Sequence, residues 1–200
     1  NTSTNTNTSI LNYEGDWEFS NDKEELELDF DGNDMPDWEI EITRLTNKEF
    51  EGETALLGAA GSGHEGIVRA LLDHGPSLEN LNQTDNAGYT ALMRASEVGN
   101  EEIVRMLIDY DPSLEHLTKQ DKNGVTALML AVGTGNAEIV RVLLEADPSL
   151  DHLTKQNKYG FTALMIAIAN DQEGSMRMLL NADSSLEHLT KQDKNGNTAL

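Results

Sequence analysis

The chain of 200 residues carries 36 acidic and 14 basic side chains, a formal net charge of −22 at pH 7. That balance argues against nucleic acid and anionic membrane as partners, since both select clustered Lys and Arg, and it favours a protein or peptide with a basic surface. The absence of cysteine excludes disulfides, thiol catalysis and zinc–thiolate sites, and no apolar run approaches the roughly 20 residues of a membrane helix.

The first element in chain order is an Asn/Thr run from Asn1 to Ser9, low in complexity and expected to be disordered. No basic stretch leading into an apolar one stands at the front, so a cytoplasmic protein is expected. The acceptor-like triplets at Asn1, Asn7 and Asn82 are accordingly read as chance. Residues 1–53 hold 16 acidic and 3 basic side chains, and residues 54–200 hold 20 and 11. The front segment 1–41 nevertheless contains Trp17, Phe19, Leu26, Leu28, Phe30 and Trp38. One reading is a solvated acidic tail. Another is a cap, with Trp38, Ile40 and Ile42 covering the first helix pair. A third is an intramolecular plug for a binding groove. Asp29-x-Asp31-x-Asn33 resembles the start of a calcium loop, but Asp34 and Ile40 stand where Gly and Glu are needed, so no metal is assigned.

From residue 42 onward the chain repeats itself. Thr-Ala-Leu recurs at Thr54, Thr90, Thr126, Thr162 and Thr198, and Gly52, Gly88, Gly124, Gly160 and Gly196 keep the same 36-residue step. So do Leu45, Leu81, Leu117, Leu153 and Leu189, and so do Arg69, Arg105, Arg141 and Arg177. A fixed period in this range marks a stacked array. In the unit 121–156, Asp121-Lys122-Asn123-Gly124 predicts a tight turn. Thr126 caps a first helix with apolar Leu128, Met129 and Ala131. Gly133 to Gly135 ends it, and Ile139, Val140, Leu143 and Leu144 mark a second helix. Pro148 stops that helix. Each helix is too short to stand alone, so stacking of units, at roughly 1.5–3 kcal/mol per buried large aliphatic side chain, must hold the array together.

The pattern Asp-x-x-Gly-x-Thr-Ala-Leu-Met-x-Ala, followed by Gly-Asn-x-Glu-Ile-Val-Arg-x-Leu, resembles the ankyrin repeat. The resemblance spans about residues 42–200. It implies an all-α solenoid of helix-turn-helix units joined by β-hairpin-like fingers and used for protein recognition. Four complete units begin near Thr54, Thr90, Thr126 and Thr162, with a truncated fifth at Thr198, so the chain reads as a fragment of a longer protein. Ala and Met stand where the family usually has Pro and His (Ala127 and Met129, for example), so a thioether replaces the usual Thr–His hydrogen bond. The extra residues of the 36-residue period predict longer fingers. Ser175, Met176 and Asp171 replace Ile139, Val140 and Gly135 of the preceding unit, so the fourth unit is expected to be the weakest complete one, and the glycines at 58, 61, 63 and 66 weaken the first.

Several motifs are expected to be structural. Gly61-Ser62-Gly63-His64-Glu65-Gly66 fits a dinucleotide fingerprint, but register puts it between paired helices rather than after a strand, so no cofactor is assigned. His116, His152 and His188 recur about 10 Å apart if packed helices set the spacing, too far to share a metal ion. Nothing resembles a nucleophile–base set, and a non-enzymatic protein is expected. The resemblance places the recognition face on the finger tips and first helices. Candidate residues there are Tyr89, Arg94, Glu97, Val98, Lys122, Val125, Lys158, Tyr159 and Phe161. Large residues before the Thr suit aromatic or apolar anchors; alternatively, Tyr89, Val125 and Phe161 pack against neighbouring fingers. Lys119, Lys155 and Lys191 either orient an acidic peptide or offset local repulsion. The expected protein is a monomeric scaffold or adaptor, or else the targeting region of a larger enzyme such as a kinase or ligase.

Overall fold

The computed structural model describes residues 54–76, 81–111, 115–147, 151–182 and 187–199. The calcium-like Asp29–Asn33 stretch and the tail, cap and plug readings of the front segment lie outside them. Each unit is a pair of helices. The first pair is α1 (Ala55–Ser62) and α2 (Glu65–Asp73); the second is α3 (Ala91–Val98) and α4 (Glu101–Tyr110). After the short α5 (Glu115–Thr118) come α6 (Ala127–Thr134) and α7 (Ala137–Ala146). The short α8 (Asp151–Thr154) precedes α9 (Ala163–Ala169) and α10 (Glu173–Ala182), and a 3-10 turn follows at Glu187–Thr190. The described residues are all-helical, as expected.

The Thr-Ala-Leu landmark is a helix start. Thr54, Thr90, Thr126 and Thr162 are extended, and each hydroxyl accepts the backbone amide three residues on, at 3.2 to 3.3 Å. This satisfies one of the donors that a helix N-terminus leaves open. The following Ala side chains are small enough to let first helices meet. Ala91, Ala95, Ala127, Ala131, Ala163 and Ala167 are all buried, and α1, α3, α6 and α9 pack in series. Met93, Met129 and Met165 fill the adjacent core positions.

The second helices α2, α4, α7 and α10 form a parallel series of their own. Val68, Ile103, Val104, Ile139, Val140 and Leu143 face inward and join one continuous core with the first helices. Burying each contributes roughly 1.5–3 kcal/mol. α7 ends at Ala146. Asp147 is already extended at φ −118°, ψ 93°, the conformation that a following proline imposes; Pro148 itself lies outside the described residues.

The extra residues of the long period do not lengthen the fingers. They form the short turns α5, α8 and 187–190, because His and Leu of each His-Leu-Thr segment are drawn towards the core. His116, Leu117, His152, Leu153 and His188 are buried. His116 Nδ1–H donates to Asp111 Oδ2 at 3.1 Å, and His152 Nδ1–H donates to Asp147 Oδ2 at 2.6 Å. Each pair ties the end of a second helix to the short turn that follows. The periodic histidines are thus structural anchors, and the described residues hold no grouping fit to bind a metal ion.

Candidate protein-binding face

Each finger is turned by one Asx side chain. Asp121 Oδ1 accepts the backbone amides of Asn123 at 2.8 Å and Val125 at 2.7 Å. Asp85, Asn157 and Asp193 do the same in their own fingers. The chain is closed by two backbone hydrogen bonds per finger, such as Asp121 N–H to Val125 O and Gly124 N–H to Asp121 O, both at 2.9 Å. The fingers are therefore hairpin-like in outline, and no strand forms among the described residues.

Successive fingers stack through their backbones. Lys122 N–H donates to Ala87 O, Lys158 N–H to Asn123 O and Lys194 N–H to Tyr159 O. A glutamine ladder reinforces the stack. Gln120 Nε2 donates to Gly124 O at 2.7 Å in its own finger and to Gln156 O at 3.0 Å in the next; Gln156 repeats the arrangement with Gly160 and Gln192. The sequence reading missed this ladder. Its signal was the recurrence of Gln120, Gln156 and Gln192 immediately before each Asx residue.

The candidate residues fall into two groups. Around α3, Arg94 stacks over the Tyr89 ring at 4.7 Å and pairs with Asp85 and, at 3.6 Å, with Glu97. Tyr89 is half-buried against the core, so it serves packing as well as surface. Burial would raise the Asp85 carboxyl, but the amides of Tyr89 and Ala87 and the Arg94 guanidinium outweigh it and hold the group below its ordinary value. Val98, at the exposed end of α3, is 55% accessible.

The second group lies on the third and fourth fingers. Tyr159 is 57% accessible, and Lys158 Nζ sits 5.0 Å above its ring while donating to Asn123 Oδ1 at 2.7 Å. Lys122 is exposed at the equivalent tip, and Phe161 is half-buried. Val125 is half-buried and packs against the core. Ile168, exposed on α9, was not among the candidates. It occupies the position of Ala60, Ser96 and Val132, all buried, so periodicity pointed to the core.

The Gly61–Gly66 stretch runs from the end of α1 into α2, so a helix and not a strand precedes it. Comparison with known families matches ankyrin repeats (3 copies) to residues 39–118 and 110–193. The chain belongs to the ankyrin repeat family. No curated relative matches it. In this ankyrin array, charge is segregated by element. Arg105, Arg141 and Arg177 are paired with glutamates on their own second helices, Arg69 with Glu102 across two, and Arg94 as above. All six lysines of the described residues lie on the finger connections instead. No helix among the described residues is long and apolar enough to cross a membrane.

Proposed function

We propose that this ankyrin array is a scaffold or adaptor that recognises a protein or peptide along its fingers and first helices and performs no catalysis itself. The observation that carries this reading is the exposed Tyr159 ring between stacked tips, with half-buried Phe161 two residues on and exposed Ile168 on the first helix of the same unit. An aromatic side chain exposed on a rigid, backbone-bonded ladder is a ready anchor, because little rotamer freedom remains to be lost when it is covered. Val98, Tyr89 and the Arg94–Glu97 pair extend the face to the second unit. Ankyrin arrays are protein-interaction modules. The net charge of −22 draws basic surfaces towards the molecule as a whole.

Affinity capture with the wild-type chain and with a Tyr89→Ala/Phe161→Ala/Tyr159→Ala variant tests the proposal. Loss of specific partners from the variant, with its helical content unchanged, supports the face. Recovery of the same proteins in equal amounts places the binding elsewhere.

A further inference from the structure

The distribution of positive charge does not follow from the composition. The protein is strongly acidic, yet Lys119, Lys122, Lys155, Lys158, Lys191 and Lys194 all stand on one set of connections. Lys122, Lys158 and Lys194 occupy the same place in successive tips, because the backbone amide of each bonds to the preceding finger. The side-chain ammonium groups of Lys122, Lys155 and Lys194 make no hydrogen bond or ion pair among the described residues. The arginines of the described residues, by contrast, all neutralise carboxylates. The Asp carboxylates in the fingers, Asp85, Asp121 and Asp193, are buried under turn amides and offer the lysines little compensation. The outcome is a row of like charges beside the exposed Tyr159 ring.

Lys191 lies 4.0 Å from Glu187, but Lys122, Lys158 and Lys194 face no carboxylate among the described residues, and such a row of cations next to an exposed aromatic suits an acidic segment that also carries apolar side chains. The chain contains one. Residues 14–38 hold eleven acidic side chains against the single Lys23, interleaved with Trp17, Phe19, Leu26, Leu28, Phe30 and Trp38. We propose that residues 14–38 dock in cis along the lysine-bearing fingers that open the third to fifth units, acids against Lys122, Lys158 and Lys194 and aromatics beside Tyr159. The proposal rests on the reading that the finger side is the binding face. Reach is ample: 25 residues extend to about 80 Å, while four repeat steps of about 10 Å separate the first and fifth units. The contact is electrostatic in origin, so salt weakens it. It makes the acidic segment a competitor for the face, displaced when a partner binds there.

Trp17 and Trp38 are the two tryptophans of the chain, so indole fluorescence reports the front segment alone. The experiment uses the full chain carrying Trp38→Phe, which leaves Trp17 as the reporter, with and without Lys122→Glu/Lys158→Glu/Lys194→Glu. All three lysines are exposed, and circular dichroism checks that the helices persist. Docking gives blue-shifted Trp17 emission protected from acrylamide at low salt. Both features are lost in the charge-reversed chain, and also in the parent when ionic strength rises from about 0.1 M to about 1 M, which shortens the Debye length from about 10 Å to about 3 Å. Solvent-like Trp17 emission in the parent at low salt overturns the proposal, as does emission that ignores both charge reversal and salt. Protection that vanishes on dilution overturns the contact in cis and assigns it to a second copy. None of these failures bears on the finger face as a partner site, which the capture experiment decides independently.

Discussion

At the residue scale, the tip glycines separate two costs that are usually confounded. Gly160 and Gly196 share φ +84°, a left-handed conformation, but a Cβ on Gly160 would stand 2.7 Å from Asp193 Cα and 2.9 Å from Lys194 N, whereas a Cβ on Gly196 meets nothing. Gly196→Ala is expected to cost about 1 kcal/mol for the strained backbone, and Gly160→Ala substantially more, because the next finger must move away. Chemical denaturation of the two variants checks the difference. His116 makes a second prediction. Burial lowers its affinity for a proton and outweighs the Asp111 and Glu115 carboxylates, which act the other way. The unfolded chain therefore binds the proton first as pH falls. Stability holds above the ordinary value of 6.5, declines below it and levels off under the lowered folded value. Asp85 adds to acid sensitivity further down: its stabilisation is present above 3.8 and lost as pH falls through its depressed folded value. Melting temperatures at about pH 7.5 and pH 5.5 should show the lower value at the lower pH, with a shallower difference in His116→Asn.

At the element scale, α10 shows how a degenerate repeat keeps its shape at reduced quality. Ser175 stands where Ile103 and Ile139 fill the core in earlier units; its side chain is buried, and its hydroxyl finds no hydrogen-bond partner. Asp171 before it adopts φ +54°, doing as a non-glycine residue what Gly135 does at the end of α6. Ser175→Ala removes a stranded polar group and is expected to raise stability by about 1 kcal/mol. Asp171→Gly should also stabilise, by relief of the left-handed strain. Thermal melts of the two single variants and their combination check both. The expectation that the fourth unit is weak was legible in these substitutions. The unpaired hydroxyl was not, because it depends on what surrounds the side chain.

At the scale of the whole molecule, stability is a property of neighbours. Core residues of each helix pair pack into one cluster running from Leu56 to Leu179, and fingers are joined tip to tip by backbone and glutamine hydrogen bonds. A peptide of residues 121–156 alone loses both sets of contacts, and its helices of 8 and 10 residues are too short to persist in water. Circular dichroism of that peptide should show an unfolded chain, whereas the full chain should melt with helical signal and cooperativity intact. A stable lone unit would contradict the stacking account. Segregated charge belongs to this scale too, since lysine tips align only when units are stacked.

The sequence by itself determined the period, the helix pairs, the Thr caps and the identity of the family, because these depend on spacing that any one unit repeats. Tertiary structure decided what the extra residues of each unit do. His116 and His152 are pulled inward to meet Asp111 and Asp147, and a short helical turn forms where a longer finger was expected. It also decided which candidate residues face solvent. Val98 and Tyr159 do, while Tyr89 and Val125 lean on the core and Arg94 spends its charge within the chain. Spacing along a chain fixes local geometry; exposure and pairing are set by the neighbouring repeat, which a single unit does not contain.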